Sequence, residues 1–377
     1  MNWQIEGAET PSDASALSQA TELPLAPPSE AARFAPCPPL MEPDCLETSP
    51  ITGSAIERLA QAIAADLAAT EALINDRMAS PVQMIPDLAA HLVHAGGKRL
   101  RPVLTLASAH VFGGGGARAA KLAAAVEFIH SATLLHDDVV DGSGMRRGKR
   151  AAQMIWGNAG SVLVGDFLFA RAFNLMVETG DLRILDVLAR ASSVIAEGEV
   201  LQLHHVGDLG LSLELYQQII DAKTATLFAA ACEAGAISAG ADEAAFAAMA
   251  HFGRSLGIAF QLVDDALDYA GDAQALGKAT GDDFREGKLT MPLLLARAAS
   301  AETETAFWRR VAAGEAKTEQ DWQKALTLIA QSGAIATTLD TARRHVEAAK
   351  AALALAPAGP IRDLLSDLAD ESLKRAA

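Results

Sequence analysis

Six aspartates carry the chemistry open to this chain. Asp137, Asp138 and Asp141 close an apolar run in LLHDDVVDGSGMRRG (134–148), and Asp264, Asp265 and Asp268 repeat their spacing in FQLVDDALDY (260–269). Positions i and i+4 stack on one helical face, so Asp137 projects with Asp141 and Asp264 with Asp268. Two such clusters, each continuing an apolar stripe, predict carboxylates facing one another across a cavity. Two carboxylates about 5 Å apart repel by roughly 3 kcal/mol at an effective dielectric near 20. Six converging ones therefore need cations between them. Hard oxygen donors without His or Cys partners favour Mg2+ over zinc, and Mg2+ fills the rest of its shell with water and substrate phosphate. The predicted chemistry is metal-assisted handling of a diphosphate.

Basic residues that could meet that diphosphate are few in this acidic chain. GGKRLRP (96–102) places Lys98 and Arg101 three apart, where they can share a face. Its glycines allow close backbone approach to an anion, and Pro102 suits a first helical turn. The same residues would also make an ordinary helix end with solvated charges. His130, Leu134, Asp137 and Asp141 fall on one stripe, so His130 looks down the acidic face while His136 points elsewhere. A lone His on an apolar face is more often a satisfied core residue, but this alignment favours a phosphate donor. Arg146 and Arg147 follow the helix break at Gly142-Ser143-Gly144, either as a salt-bridge cluster or as guanidinium forks for a diphosphate. Lys223 lies inside an apolar stripe with Tyr216, Ile220 and Leu227, a costly place unless an anion or water reaches it. Thr224 adds a hydroxyl, and Gln261 precedes Asp264 and Asp265 by three and four residues. Glu199 and Gln202 of GEVLQL are lesser candidates. His204 and His205 have no acidic partner at ligand spacing and read as surface residues. A polar, glycine-containing loop from Gly277 to Lys288 has the makings of a lid, with lysines including Lys278 able to close over phosphate.

The elements that must position these groups are helices. The chain has 377 residues, 50% hydrophobic and only 5% aromatic, and no alternating stretch is long enough to seed a sheet. Helices are predicted over Ser54–Met78, Asp87–Ala95, Lys121–Asp141 and Leu213–Ala231, with amphipathic helices beyond Pro292. The architecture is an all-α bundle. Length alone would allow two domains. The first fifty residues, however, hold nine of the fifteen prolines, eight acidic residues and one basic residue, Arg33. That bias reads as a disordered N-terminal extension, leaving residues 51–377 as the catalytic domain. The extension fits neither a signal peptide nor an arginine-rich presequence. A net charge of −16 argues against a nucleic-acid partner. Three scattered cysteines imply no disulfide framework and fit a reducing cytoplasm. No uncharged apolar run reaches membrane-span length.

From Ile51 onward the sequence resembles the trans-isoprenyl diphosphate synthases, also called polyprenyl synthetases. The resemblance rests on GGKRLRP, LLHDDVVDGSGMRRG, GEVLQL, KTATLF, FQLVDDALDY and LGKATGDDFREGK in that order. It implies an isoprenoid-synthase-like helical bundle around a deep central cavity, assembled as a homodimer. It further implies that both aspartate motifs hold Mg2+, three ions, on an allylic diphosphate. Lys98, Arg101, His130 and Arg147 match the isopentenyl diphosphate site. Arg146, Lys223, Thr224 and Gln261 match allylic contacts, with Lys278 a helper. The implied reaction is head-to-tail condensation: the allylic carbon–oxygen bond ionises, the cation adds to the isopentenyl double bond, and a proton is lost. Where the family usually has threonine and asparagine after Arg147-Gly148, this chain has Ala151 and Gln153. Short-chain relatives carry a bulky aromatic about one turn before the first motif, at the positions of Ala132 and Thr133 here. The gate is therefore open, with Phe128 and Ile129 the next obstacles. One helical turn rises about 5.4 Å, close to one isoprene unit, so a product of roughly eight to ten units is expected. Such a product suits a quinone side chain, can partition into membranes, and would start from a farnesyl or geranylgeranyl primer. The alternatives are a shorter-chain synthase, a terpene cyclase, head-to-head condensation, or a regulatory partner subunit. The second aspartate cluster and the Lys98–Arg101 knot speak against the cyclase, and two complete motifs speak against the regulatory subunit.

Overall fold

Alanine and leucine at three-to-four spacing fold this chain almost entirely into helices. The computed structural model describes residues 53–94, 96–146, 148–270, 281–315 and 318–374. The extension read over residues 1–50, together with Arg147 and Lys278, lies outside them. In order the helices are α1 Ala55–Ala62, α2 Ala64–Arg77, α3 Met84–Val93, α4 Leu100–Val111, α5 Gly116–Val140, α6 Gln153–Val177, α7 Leu182–His204, α8 Leu213–Ile220, α9 Thr226–Ser238 and α10 Glu243–Ala270. They continue as α11 Asp282–Glu286, α12 Met291–Ala299, α13 Thr305–Ala312, α14 Glu319–Ser332, α15 Ala334–Leu353 and α16 Pro360–Lys374.

Several boundaries differ from the sequence pattern. The segment Ser54–Met78 is two helices, broken at Ile63 (φ −114°, ψ 22°), which is itself buried. Its apolar period runs through the break, so periodicity could not reveal it. The helix predicted from Asp87 starts earlier, at Met84, and ends at Val93. α5 begins at Gly116, just after the extended, positive-φ Gly115 (φ 144°). The helix predicted over Leu213–Ala231 is interrupted by a π-helical turn, Asp221–Ala225, which carries Lys223 and Thr224. One short ladder was not predicted: Met145–Arg146 (β1) pairs antiparallel with Lys149–Arg150 (β2).

Helix packs on helix throughout. α10 lies between α9 and α15, α5 packs on α4 and α6, and α9 reaches both α4 and α7. The bulky, fully buried Phe228 and Phe252 anchor the α9–α10 contact, and each such side chain contributes roughly 1.5–3 kcal/mol by burial. The chain position that matters most here is Gly257: a Cβ there would fall 2.7 Å from Ala225 Cα. Gly257, Gln261 and Asp265 follow at four-residue spacing on α10, so the close approach seats the polar pair beside the π turn. α6 is the one described helix long and apolar enough to cross a membrane by composition (mean hydropathy 1.4). It nevertheless carries Asp166 and Arg171 and buries Val164, Leu168, Ala172 and Leu175 in the core.

Candidate active site

The C-terminal end of α5 delivers the first aspartate cluster. Asp138 is fully buried and accepts a forked ion pair from Arg146, whose Nε lies 2.8 Å from Oδ1. Its Oδ2 is buried with no hydrogen-bond partner. Gln153, at a position flagged as a departure from the family pattern, donates to the Asp138 carbonyl at 2.7 Å and to that of Ser143. It therefore ties the chain after the motif back onto α5. Asp137 and Asp141 flank this anchor and meet lysines: Lys223 Nζ is 3.6 Å from Asp137, and Lys288 Nζ is 2.8 Å from Asp141. Burial pushes the Asp137 carboxyl above its usual range, against the opposing pull of Lys223. Burial alone would lower Lys288, but Asp141 and Glu286 hold its ammonium above the ordinary value.

The second cluster, on α10, repeats the plan. Its middle aspartate, Asp265, is 2% exposed. Tyr216 donates its hydroxyl to Oδ2, and Gln261 Nε2 donates to Oδ1 at 2.8 Å. Thr224 in turn donates to Gln261 Oε1 at 2.9 Å. Burial pushes the Asp265 carboxyl up to about 6, with Tyr216 and Gln261 pulling the other way. Asp268 accepts the backbone N–H groups of Gly281, Asp282 and Asp283 at 3.1–3.3 Å, so it fixes the start of α11. Burial, then Asp265 and Asp268, hold Asp283 well above the carboxylate range. In each motif the middle aspartate is spent on internal hydrogen bonds.

One aspartate of each cluster lines a cavity of about 320 Å³. Asp141 and Asp265 line it together, with Glu199, Lys223, Gln261 and Lys288. Glu199 accepts from Lys223 at 2.7 Å while its second oxygen is buried without a partner. Burial raises this carboxyl to about 7, with Asp137 adding to the rise and Lys223 opposing it. Among the described residues, no group of three or more His, Cys, Asp or Glu side chains forms a ready-made cation cage. What the site offers is a set of hard oxygens, the Glu199 Oε1 among them buried and unpartnered, with lysine ammoniums standing where added positive charge is favourable. That donor set suits a divalent cation sharing its shell with an incoming phosphate.

A second cavity of about 660 Å³ is lined by Lys98, Arg101 and His130. Arg101 lies 3.1 Å from His130 and 4.8 Å over the Phe228 ring. The turn that aims these groups is strained. Gly96 and Gly97 have φ of 89° and 142°, and Arg99, at φ 48°, is the one non-glycine with positive φ among the described residues. Such a backbone costs on the order of 1–3 kcal/mol and is held by its surroundings. α10 lines both cavities: Gln261 faces the acidic one and its neighbour Phe260 the basic one, and Thr224 and Phe228, four residues apart, divide the same way.

Other expectations fared differently. His205 is not merely a surface residue: its Nδ1 lies 2.9 Å from Asp208, three residues on, and it lines the acidic cavity. The sequence carried that signal in the spacing, which ligand-motif reasoning passed over. His204 is exposed, and His136 turns to the Val162 carbonyl at 3.2 Å and the Asp166 carboxylate at 3.5 Å rather than to an aspartate of either motif. Phe128, Ile129 and Ala132 are fully buried in the core between α5, α6 and α7, and Thr133 is half-buried. Neither cavity just described is lined by these four. The sequence places Tyr216 only on an apolar stripe. Its role depends on the fold bringing its hydroxyl to Asp265 on α10, 49 residues on, which no local pattern encodes.

This architecture has known counterparts. The polyprenyl synthetase family model matches residues 82–329. Octaprenyl diphosphate synthase of Escherichia coli is 42% identical over 320 residues, covering 85% of this chain and 99% of that protein. Two crystal structures superpose with a TM-score of 0.82. Polyprenyl synthase from Caulobacter crescentus, complexed with calcium and isoprenyl diphosphate, is 58% identical and is matched over 85% of this chain and 98% of its own. A decaprenyl diphosphate synthase from Rhodobacter capsulatus is 50% identical, matched over 85% and 99%. With six ordered motifs, an aspartate of each cluster on one cavity and these relatives, the chain belongs to the polyprenyl synthetase family of prenyltransferases.

Proposed function

We propose that this enzyme condenses isopentenyl diphosphate head-to-tail onto an allylic diphosphate to build a long all-trans polyprenyl diphosphate, of the kind used for quinone side chains. The observation that carries this reading is the pair of cavities of opposite character, one acidic and one basic, both lined by α10. The allylic diphosphate would sit in the acidic cavity, against Lys223, Thr224 and Gln261. Isopentenyl diphosphate would sit in the basic one, against Lys98, Arg101 and His130. Relatives named as octaprenyl and decaprenyl diphosphate synthases support the long product.

Mg2+ is the proposed metal, and Asp137, Asp141 and Asp264 are the proposed ligands. When bound it neutralises the departing pyrophosphate, the term that generally dominates such catalysis. The protein's own part is positional. Asp138 and Asp265, locked by Arg146 and by Tyr216 with Gln261, hold their neighbouring carboxylates in place. Lys223 and Lys288 already touch carboxylates of the first motif, and are placed to transfer to pyrophosphate oxygens as charge develops there. Phe228 and Phe260, which line the basic cavity, would keep water from the isopentenyl double bond that receives the allylic cation. Arg147 is proposed for the isopentenyl site and Lys278 for the allylic one on motif resemblance alone.

Residues 51–377 are read as the catalytic domain, acting as a homodimer. The exposed apolar face of α6, with Leu163 and Val177 largely open to solvent, supports a second copy as its cover. Low cysteine content supports a cytoplasmic location. Purified protein incubated with Mg2+, farnesyl diphosphate and labelled isopentenyl diphosphate should yield, after dephosphorylation and chromatography, polyprenols of roughly eight to ten units. Products stopping at three or four units would reject the long-chain assignment, and cyclic hydrocarbons would reject the condensation.

A further inference from the structure

The basic knot contains three cations, and only Lys98 and Arg101 have been given to a substrate. Arg99, between them, lines the same cavity but spends its guanidinium on protein partners. One guanidinium nitrogen donates to Glu127 Oε1, and the other donates to the Val93 carbonyl at 2.7 Å, at the end of α3. Glu127 sits on α5, three residues before His130, and is only 4% exposed. It nevertheless lines the same cavity as Lys98, Arg101 and His130. A cavity built to accept an anion thus has a buried carboxylate in its wall, covered by one arginine. That arginine adopts the left-handed backbone (φ 48°, ψ 38°) from which α4 starts, two residues before Arg101.

We propose that Arg99 is a positioning residue for isopentenyl diphosphate, acting by neutralising Glu127 within the basic cavity while its turn aims Lys98 and Arg101. The inference rests on the assignment of that cavity to isopentenyl diphosphate. A buried charge left without its partner is unfavourable in itself. Here it would also repel the incoming diphosphate at close range, in surroundings of intermediate dielectric. With its guanidinium held by Glu127 and the Val93 carbonyl, Arg99 governs the substrate's affinity through Glu127 rather than through a phosphate contact of its own.

The variant R99G keeps the left-handed turn, since glycine adopts positive φ freely, and removes the side chain with its guanidinium. In the full chain with Mg2+, R99G is expected to raise KM for isopentenyl diphosphate about tenfold. The kcat and the KM for the allylic substrate should stay within about twofold, because the acidic cavity is untouched. The double variant R99G/E127Q removes the exposed negative charge and should recover most of the lost affinity, even if its urea midpoint stays below that of the parent. A merely structural role for Arg99 would leave KM for isopentenyl diphosphate unrescued by E127Q. Direct contact of Arg99 with phosphate would do the same, so either result overturns the proposal. K98A separates the premise from the inference. If K98A leaves that KM unchanged, the cavity is misassigned and both fall. If K98A raises it and R99G does not, the assignment stands and only the role of Arg99 is lost.

Discussion

Replacing Tyr216 by Phe removes one oxygen and no packing volume, which makes it a clean probe of the second aspartate motif. Tyr216 is 4% exposed and Asp265 2% exposed, so the phenol–carboxylate hydrogen bond is shielded from solvent. Without it, Asp265 retains Gln261 Nε2 at 2.8 Å on its other oxygen. A hydrogen bond to a charged group is worth about 1.5–3 kcal/mol, and one pH unit corresponds to about 1.4 kcal/mol. The Asp265 carboxyl, already pushed up to about 6 by burial, should then climb by about one to two pH units. An acid raised in this way holds its proton near neutrality, so the second motif loses negative charge as the pH falls through the new value. The assay is kcat/KM for the allylic substrate from roughly pH 5.5 to 9 at fixed Mg2+, for parent and Y216F. The acid limb should move up by about one to two units, while the alkaline plateau stays within a few-fold. Folding stability offers an independent reading. The folded variant binds this proton more tightly than the unfolded chain, so it gains stability relative to the parent on acidification from neutral pH. Superimposable acid limbs would show that Tyr216 does not set the ionisation of Asp265, and would refute the reasoning.

Three further outcomes are expected. Arg146→Ala leaves Asp138 buried and uncompensated, so beyond any loss of activity it should cost roughly 3–5 kcal/mol in urea unfolding; an unchanged midpoint would show that the pair is not the anchor described. Ala132→Phe should shorten the product, as seen by chromatography of the polyprenols, with about 1–3 kcal/mol of overpacking in a fully buried position; unaltered length would place the tunnel elsewhere. Because Glu199 is raised to about 7 and Asp137 is raised by burial, the metal-free protein should lose stability as pH rises from the ordinary carboxylate range through about 7. Mg2+ binding requires these groups ionised, so the Mg2+-induced rise in Tm should be larger at higher pH; equal rises on either side of neutrality would contradict that linkage.

The chain's own order of residues determined the helical class and the acidic chemistry. Those follow from periods of three and four residues, which are local: Asp137 must accompany Asp141, and Asp264 must accompany Asp268, wherever their helices go. The basic knot was equally legible, since Gly96-Gly97 next to Lys98 and Arg101 is a local statement. What the tertiary structure decided is which charges meet. Asp138 and Asp265 look like their neighbours in sequence, yet packing spends them on Arg146 and Tyr216. Lys288 reaches Asp141 across 147 residues, and Arg99 turns away from its fellow cations to Glu127. The π turn that presents Lys223 and Thr224 arises where α10 comes close through Gly257, a constraint invisible in the turn's own residues. Spacing along a helix fixes what shares a face. Only the packing of helices fixes what that face confronts, and in a low-dielectric interior that confrontation sets each group's charge.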